Sequence, residues 1–195
     1  MPVPKREFLF LRHGQTDWNL QGRFQGHSDI PLNETGLAQA HRAAERLSGQ
    51  GIELIISCPL IRALKTAAII AERIERPIRI DSGLMERTFG SFEGLVISEV
   101  KRRLGLQPNE RLTRYLPADA EQWHETRARA ASAIGAWLER HPSERLLFVA
   151  HAGLFDALHE QMFGTRLEPK HEPYLFQPTS KGWAVRELRG ATNVT

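Results

Sequence analysis

Two histidines, two arginines and a glutamate stand just beyond short apolar runs. Phe8-Leu9-Phe10-Leu11 is followed by Arg12-His13-Gly14, and Leu146-Leu147-Phe148-Val149 is followed, after Ala150, by His151-Ala152-Gly153. Leu54-Ile55-Ile56 leads into Ser57-Cys58-Pro59-Leu60-Ile61-Arg62, and Ile78 to Ile80 leads to Leu84-Met85-Glu86. Guanidinium forks match the oxygens of a phosphoryl group in bidentate fashion, and imidazole is the side chain able to attack near neutral pH. Histidine is also an established covalent nucleophile. Phosphoryl transfer asks mainly for alignment and for positive charge around the equatorial oxygens, and this set supplies both without a metal. Glu86 then fits as proton donor to the leaving oxygen.

Such chemistry needs elements that bring distant residues together. The four apolar runs are short, continuous and bounded by polar or turn residues, as expected of central strands covered on both faces, with Ile78 to Ile80 the weakest of them. Leu37, Ala40, Ala44 and Leu47 recur at helical spacing, as do Leu60, Ala63, Leu64, Ala67, Ile70, Ala71 and Ile74. Pro59 suits the first turn of the second helix and Ser57 is placed to help cap it. A third long helix is expected from about Ala118 to His141, ended by Pro142. Leu154 to Phe163 reads as a fourth helix, and Tyr174 to Gln177 and Trp183 to Leu188 read as late strands. The fold class expected is α/β: a single domain over residues 1–195 with a mostly parallel central sheet and helices on both faces, a three-layer α/β/α arrangement. In such sheets the site lies beyond the carboxyl ends of the strands, where Arg12, His13, Arg62, Glu86 and His151 all fall.

Composition narrows the classes. The 195 residues carry one cysteine, Cys58, so neither a disulfide scaffold nor a cysteine metal cluster is available. Cys58 is expected to be a buried small side chain rather than a second nucleophile. Twenty-six basic against 23 acidic residues give a formal net charge of +3. That mild excess calls for neither nucleic acid nor a membrane surface. No apolar run approaches a transmembrane span, and the start of the chain does not resemble a signal peptide, so a cytoplasmic location is the expectation. Asn33-Glu34-Thr35 and Asn193-Val194-Thr195 match the glycosylation sequon, which has no meaning without export. Lys101, Arg102, Arg103, Arg111, Arg114 and Tyr115 are candidates for reading the remainder of a substrate.

The string Leu11-Arg12-His13-Gly14-Gln15-Thr16-Asp17-Trp18-Asn19 resembles the signature of the histidine phosphatase superfamily, in its phosphoglycerate-mutase-like branch. Arg23-Phe24-Gln25-Gly26, Pro31 to Gly36, Ser57 to Ala63, Leu84 to Gly94 and Val149-Ala150-His151-Ala152-Gly153 follow in the family's order, so the likeness runs from residue 8 to about 155. It implies that His13 becomes a transient phosphohistidine while Arg12, Arg62 and His151 hold the phosphoryl oxygens. Asn19 is similar to a further phosphate contact, and Glu86 matches the usual acid, which protonates the leaving group and then activates water. Gln25, Gly26, Thr16 and Ala152 fall where relatives shape or support the substrate side. The resemblance implies metal-independent chemistry with no cofactor, and a small phosphate monoester or phosphorylated metabolite as substrate.

Three activities fit these residues. A mutase of the phosphoglycerate type must shield its phosphoenzyme from water, which goes with longer chains carrying extra segments over the site. Here only about two dozen residues separate Gly94 from Ala118, so hydrolysis of a phosphate monoester is favoured. At residues 117–123 the chain reads Pro-Ala-Asp-Ala-Glu-Gln-Trp where related phosphatases often have Gly-Glu-Ser, which removes a guide to the substrate. A non-catalytic phospho-ligand module on the same fold is the third reading. It would be expected to lack a catalytic group, and all five are present. Oligomeric state is not legible.

Overall fold

A run such as Leu146-Leu147-Phe148-Val149-Ala150 has no polar face, so it is stable only where both sides of a sheet are covered. The computed structural model describes residues 3–188, and Asn193 of the second sequon lies outside them. In chain order the elements are β1 (Phe8–Arg12), α1 (Asp17–Leu20), α2 (Glu34–Leu47), β2 (Leu54–Ser57), α3 (Ile61–Ile74), β3 (Ile78–Ile80), α4 (Ile97–Arg103), α5 (Trp123–Arg140), β4 (Leu146–Ala150), α6 (Ala152–Phe163), β5 (Pro173–Thr179) and β6 (Gly182–Glu187). The six strands form one sheet in the order β3-β2-β4-β1-β5-β6. Pairings within β3-β2-β4-β1 are parallel, and β5 and β6 add antiparallel at the far edge. The expected α/β class with a mostly parallel sheet is what the chain adopts.

The helices pack in two pairs, α2 with α3 and α5 with α6, and every residue of β2 and β4 is buried. The core condenses around β1. Phe8 stacks on Phe176 of β5 at 4.8 Å and meets Phe148 of β4 edge-on at 5.6 Å. Phe10 meets Phe155 of α6 at 5.4 Å, which joins the sheet to the helix that follows His151. Aromatic pairs of this geometry contribute about 0.5–1.5 kcal/mol each beyond their buried area.

Two local expectations are corrected. Helix α3 begins at Ile61, so Pro59 lies before it, and Ser57 Oγ donates to the Cys58 carbonyl at 3.0 Å instead of capping the helix. The first-turn donor of α3 is met from outside, Ile61 N–H reaching Asp29 Oδ1 at 2.6 Å. Helix α5 starts at Trp123, not Ala118, because Gln122 and Glu125 form a reciprocal capping box. Residues 118–122 form a turn that carries Glu121 back to Thr88 through a backbone hydrogen bond of 3.2 Å.

Candidate active site

Adjacent parallel strands set the spacing of the two imidazoles. Arg12 of β1 pairs with Ala150 of β4, and His13 N–H donates to Ala150 O at 2.9 Å, so His13 and His151 leave the sheet side by side. Their ring centroids are 5.1 Å apart and inclined at 60°. His13 Nδ1 lies 2.7 Å from Gly14 O. A carbonyl can only accept, so Nδ1 carries the proton and the Nε2 lone pair is left for chemistry. Burial, then the charges of Arg62 and Arg12, hold His13 well below the usual imidazole range. Burial, then Arg62, does the same to His151. The unprotonated ring is the nucleophilic form.

The guanidiniums are fixed by backbone oxygens. Arg62, in the first turn of α3, is wholly buried and gives Nη1–H to Ser28 O at 2.8 Å and Nη2–H to Gly26 O at 2.7 Å. Arg12 gives Nη1–H to Pro169 O at 3.1 Å and sits 3.7 Å from Glu168 Oε1. Among the described residues, Arg12 Nε, Arg62 Nε and both ring nitrogens of His151 are buried polar atoms with no protein partner. Buried donors are normally satisfied, so a group of them around His13 fits a ligand rich in acceptor oxygens.

Glu86 reaches the same place from the loop after β3. Its Oε1 accepts from Arg87 N–H at 2.8 Å and its Oε2 from Gly153 N–H, in the first turn of α6, at 3.2 Å. Gly153 leaves room for the Glu86 carboxyl, which a Cβ at that position would push aside. Thr16 caps α1, with its hydroxyl 3.1 Å from Asn19 Oδ1 and 3.0 Å from Gln25 Oε1. Asn19 and Gln25 are thereby held on the His13 loop, and Ala152 opens α6 directly after His151. The structure therefore brings together Arg12, His13, Arg62, Glu86 and His151, with Thr16, Asn19, Gln25, Gly26 and Ala152 around them.

Three contributors were not read from the sequence as site residues. His171 Nδ1 donates to the His13 carbonyl at 2.6 Å, and burial, then Arg12, lowers its pKa to about 4. Thr66 Oγ1 donates to Arg62 O at 2.8 Å and accepts from Gly14 N–H at 3.2 Å. Its position four residues after Arg62 on one helix was a usable signal. Arg87 is buried beside Glu86, gives Nε–H to Glu121 O at 2.7 Å and faces Trp123 at 5.5 Å. Cys58 is buried and its thiol is pushed up to about 12 by burial, which leaves it inert.

A cleft of about 380 Å³ opens beside Gly153, lined by Arg87, Phe89, Lys101, Arg111, Trp123 and Arg166 among others. Of the basic candidates, Lys101 and Arg111 reach it, whereas Arg102 lines a separate groove with Lys101. Arg103, Arg114 and Tyr115 are exposed and line neither. No described helix is long and apolar enough to cross a membrane.

The sheet, the paired imidazoles and the buried guanidiniums define an α/β protein with a cationic pocket at the carboxyl ends of its parallel strands. The family model described as histidine phosphatase superfamily (branch 1) matches residues 8–186, and the chain belongs to that superfamily. It is 34% identical over 168 residues to phosphoglycerate mutase-like protein 4 of Arabidopsis thaliana, covering 82% of this chain and 72% of that protein. It is 34% identical over 156 residues to PhoE of Bacillus subtilis, called an uncharacterized phosphatase, covering 79% and 76%. The solved mycobacterial glucosyl-3-phosphoglycerate phosphatase, in complex with VO3, matches with a TM-score of 0.81 at 27% identity over 95% of this chain and 98% of that one. Phosphatases and mutase-like proteins thus both stand among its relatives.

Proposed function

We propose that the protein is a metal-independent phosphomonoester hydrolase acting on a small phosphorylated metabolite in the cytoplasm through a phosphohistidine at His13, the whole chain serving as one domain. The observation that carries this reading is the His13 Nδ1–Gly14 O hydrogen bond, which frees Nε2 beside a group of buried atoms, Arg12 Nε, Arg62 Nε and the His151 ring nitrogens, that have no protein partner among the described residues. In the first step Nε2 bonds to phosphorus as the bond to the ester oxygen breaks, and Glu86 delivers a proton to that oxygen. Arg12, Arg62 and His151 hold the equatorial oxygens where charge is greatest, so the positive charge comes from the chain itself. Asn19 is a further phosphate contact, while Thr16, Gln25, Gly26 and Ala152 border the substrate. In the second step Glu86 takes a proton from water, water oxygen bonds to phosphorus, the N–P bond breaks and inorganic phosphate leaves with His13 restored.

Transfer of the phosphoryl group back to a second position of the substrate, as in a mutase, uses the same first step. The name of the Arabidopsis relative keeps that reading in view. Hydrolysis is favoured because the stretch from Gly94 to Ala118 is short and supplies α4 and a loop to one wall of the cleft beside Gly153. The test is p-nitrophenyl phosphate hydrolysis by wild type and His13→Ala with a chelator present over about pH 5 to 8. Chelator-resistant turnover that vanishes with His13, together with an acid-labile phosphohistidine trapped in wild type, is the expected result. Phosphohistidine without release of inorganic phosphate points to the mutase, and neither signal points to a binding module.

A further inference from the structure

Glu93 stands back from the pocket, yet its carboxylate touches both loops that shape it. Oε1 accepts from His27 N–H at 3.0 Å, Thr88 Oγ1 at 2.9 Å and Phe89 N–H at 3.2 Å. Oε2 accepts from Ser28 N–H at 2.9 Å and Ser28 Oγ at 2.8 Å. On one side of this carboxylate, Gly26 O and Ser28 O bracket His27, and these are the two oxygens that hold the Arg62 guanidinium. On the other side, Thr88 and Phe89 lie just beyond Glu86. His27 Nε2, 2.9 Å from Glu86 O, closes the ring between the loops.

We propose that Glu93 is a positioning residue that staples the Gly26–Ser28 loop to the Glu86–Phe89 loop, so that the Arg62 guanidinium and the Glu86 carboxyl are aimed as one unit. The proposal rests on the roles given to Arg62 and Glu86 above. Five donors converge on one side chain, and an ionised carboxylate, which only accepts, is the group that satisfies them all. Burial acts to raise the Glu93 pKa, but the hydrogen bonds from His27, Ser28, Thr88 and Phe89 outweigh it and leave the group below the ordinary carboxylate value. Gly26 completes the device. Its φ of +53° suits glycine, and a Cβ there would collide with Glu93 Oε1. A helix-packing role alone would not explain why all five bonds go to the two loops and none to a helix.

The test is Glu93→Gln, alone and with Arg62→Ala, read by orthovanadate affinity and by turnover of an aryl and an alkyl phosphate. The amide turns one acceptor into a donor facing donors, so vanadate affinity is expected to fall at least about tenfold and alkyl turnover to fall further than aryl turnover. On the Arg62→Ala background the same change should cost vanadate affinity less than about threefold, because residues acting through one another are not additive. Fold-losses that multiply in the double variant, or unchanged vanadate affinity in the single one, would overturn the proposal. Should Glu93→Gln not fold, Ser28→Ala and Thr88→Val each remove one of the five hydrogen bonds, one from each loop. Each should weaken vanadate binding and widen the alkyl-aryl gap together, and a change in one readout without the other in both variants would equally reject the staple. Vanadate binding is read without turnover, so failure of the hydrolase reading and failure of the staple are distinguishable.

Discussion

His171 holds the backbone of His13: its Nδ1–H donates to the His13 carbonyl at 2.6 Å, while the Gly14 N–H of the same peptide unit is taken by Thr66 Oγ1 at 3.2 Å. That peptide is thus pinned at both ends, and the next carbonyl, Gly14 O, is the one that sets the His13 tautomer. His171→Ala is expected to lower kcat about tenfold with little change in KM, the scale of one lost buried hydrogen bond. His171→Asn, which keeps a donor, should recover part of the loss. Steady-state kinetics on p-nitrophenyl phosphate decide it, and an unchanged kcat in the alanine variant would remove His171 from the site.

Acid should unfold the unliganded protein early. His13 and His151 sit well below the ordinary value of 6.5, and His171 at about 4, so the folded state refuses protons that the unfolded state accepts. Stability is therefore full above pH 6.5 and is lost as pH falls below it, levelling for His171 near pH 4. Each wholly buried imidazole adds a slope of up to about 1.4 kcal/mol per pH unit. Urea unfolding between about pH 7 and pH 5 measures the slope. Saturating inorganic phosphate should flatten it, because a bound anion favours charged imidazoles. A flat profile without ligand would show that the rings protonate freely in the fold.

Close backbone approach makes two glycines indispensable and leaves a third replaceable. A Cβ on Gly14 would strike Gly36 O, and one on Gly36 would strike Gln15 O, so the His13 loop and the first turn of α2 have no room to spare. Gly36→Ala is expected to cost about 1–3 kcal/mol, a fall in Tm of about 2–12 °C, and to depress activity with it. Gly135, inside α5, would bring a Cβ only to 3.5 Å from Pro4 Cδ, an ordinary contact. Gly135→Ala should raise stability by up to about 1 kcal/mol through helix propensity alone. Thermal unfolding of the two variants side by side checks both signs.

Glu86→Gln separates acid catalysis from binding. Aryl phosphates leave without much help, so their turnover should fall far less than that of an alkyl phosphate. Equal losses on both esters would take Glu86 out of the acid role. Arg62→Ala should cost on the order of 3 kcal/mol or more of transition-state stabilisation, since a buried charge partner is lost. A drop in kcat/KM below about tenfold would place Arg62 outside the phosphoryl pocket.

The sequence exposed most of this arrangement because its central strands are uniformly apolar and their ends are abruptly polar. β1, β2 and β4 fall within a residue of the apolar runs, and the residues after them are the pocket. Helix α5 was misjudged at its start because Gln122 is an unusual N-cap, whose partner Glu125 identifies it only once the turn is formed. β5 and β6 were legible as strands, but their antiparallel direction is decided by where they meet β1 and not by their own pattern. His171 escaped notice for the same reason. Nothing near it in the chain distinguishes it from His159, which bonds Thr165 O and packs between Phe155 and Phe163. Glu93 could be separated from Glu86 by motif, but its five donors come from two loops, one of them more than sixty residues upstream.

Both strands that flank β1 in the sheet, β4 and β5, come from the last quarter of the chain. During synthesis β1 therefore waits, with both of its hydrogen-bonding edges unsatisfied, until residues 146–150 have left the ribosome. Nascent chains shorter than that can fold locally around α2 and α3, but they cannot assemble the paired imidazoles. The pocket around the paired imidazoles is consequently a late product of folding, and a protein truncated before β4 should be inert and prone to pair its exposed strand with another chain.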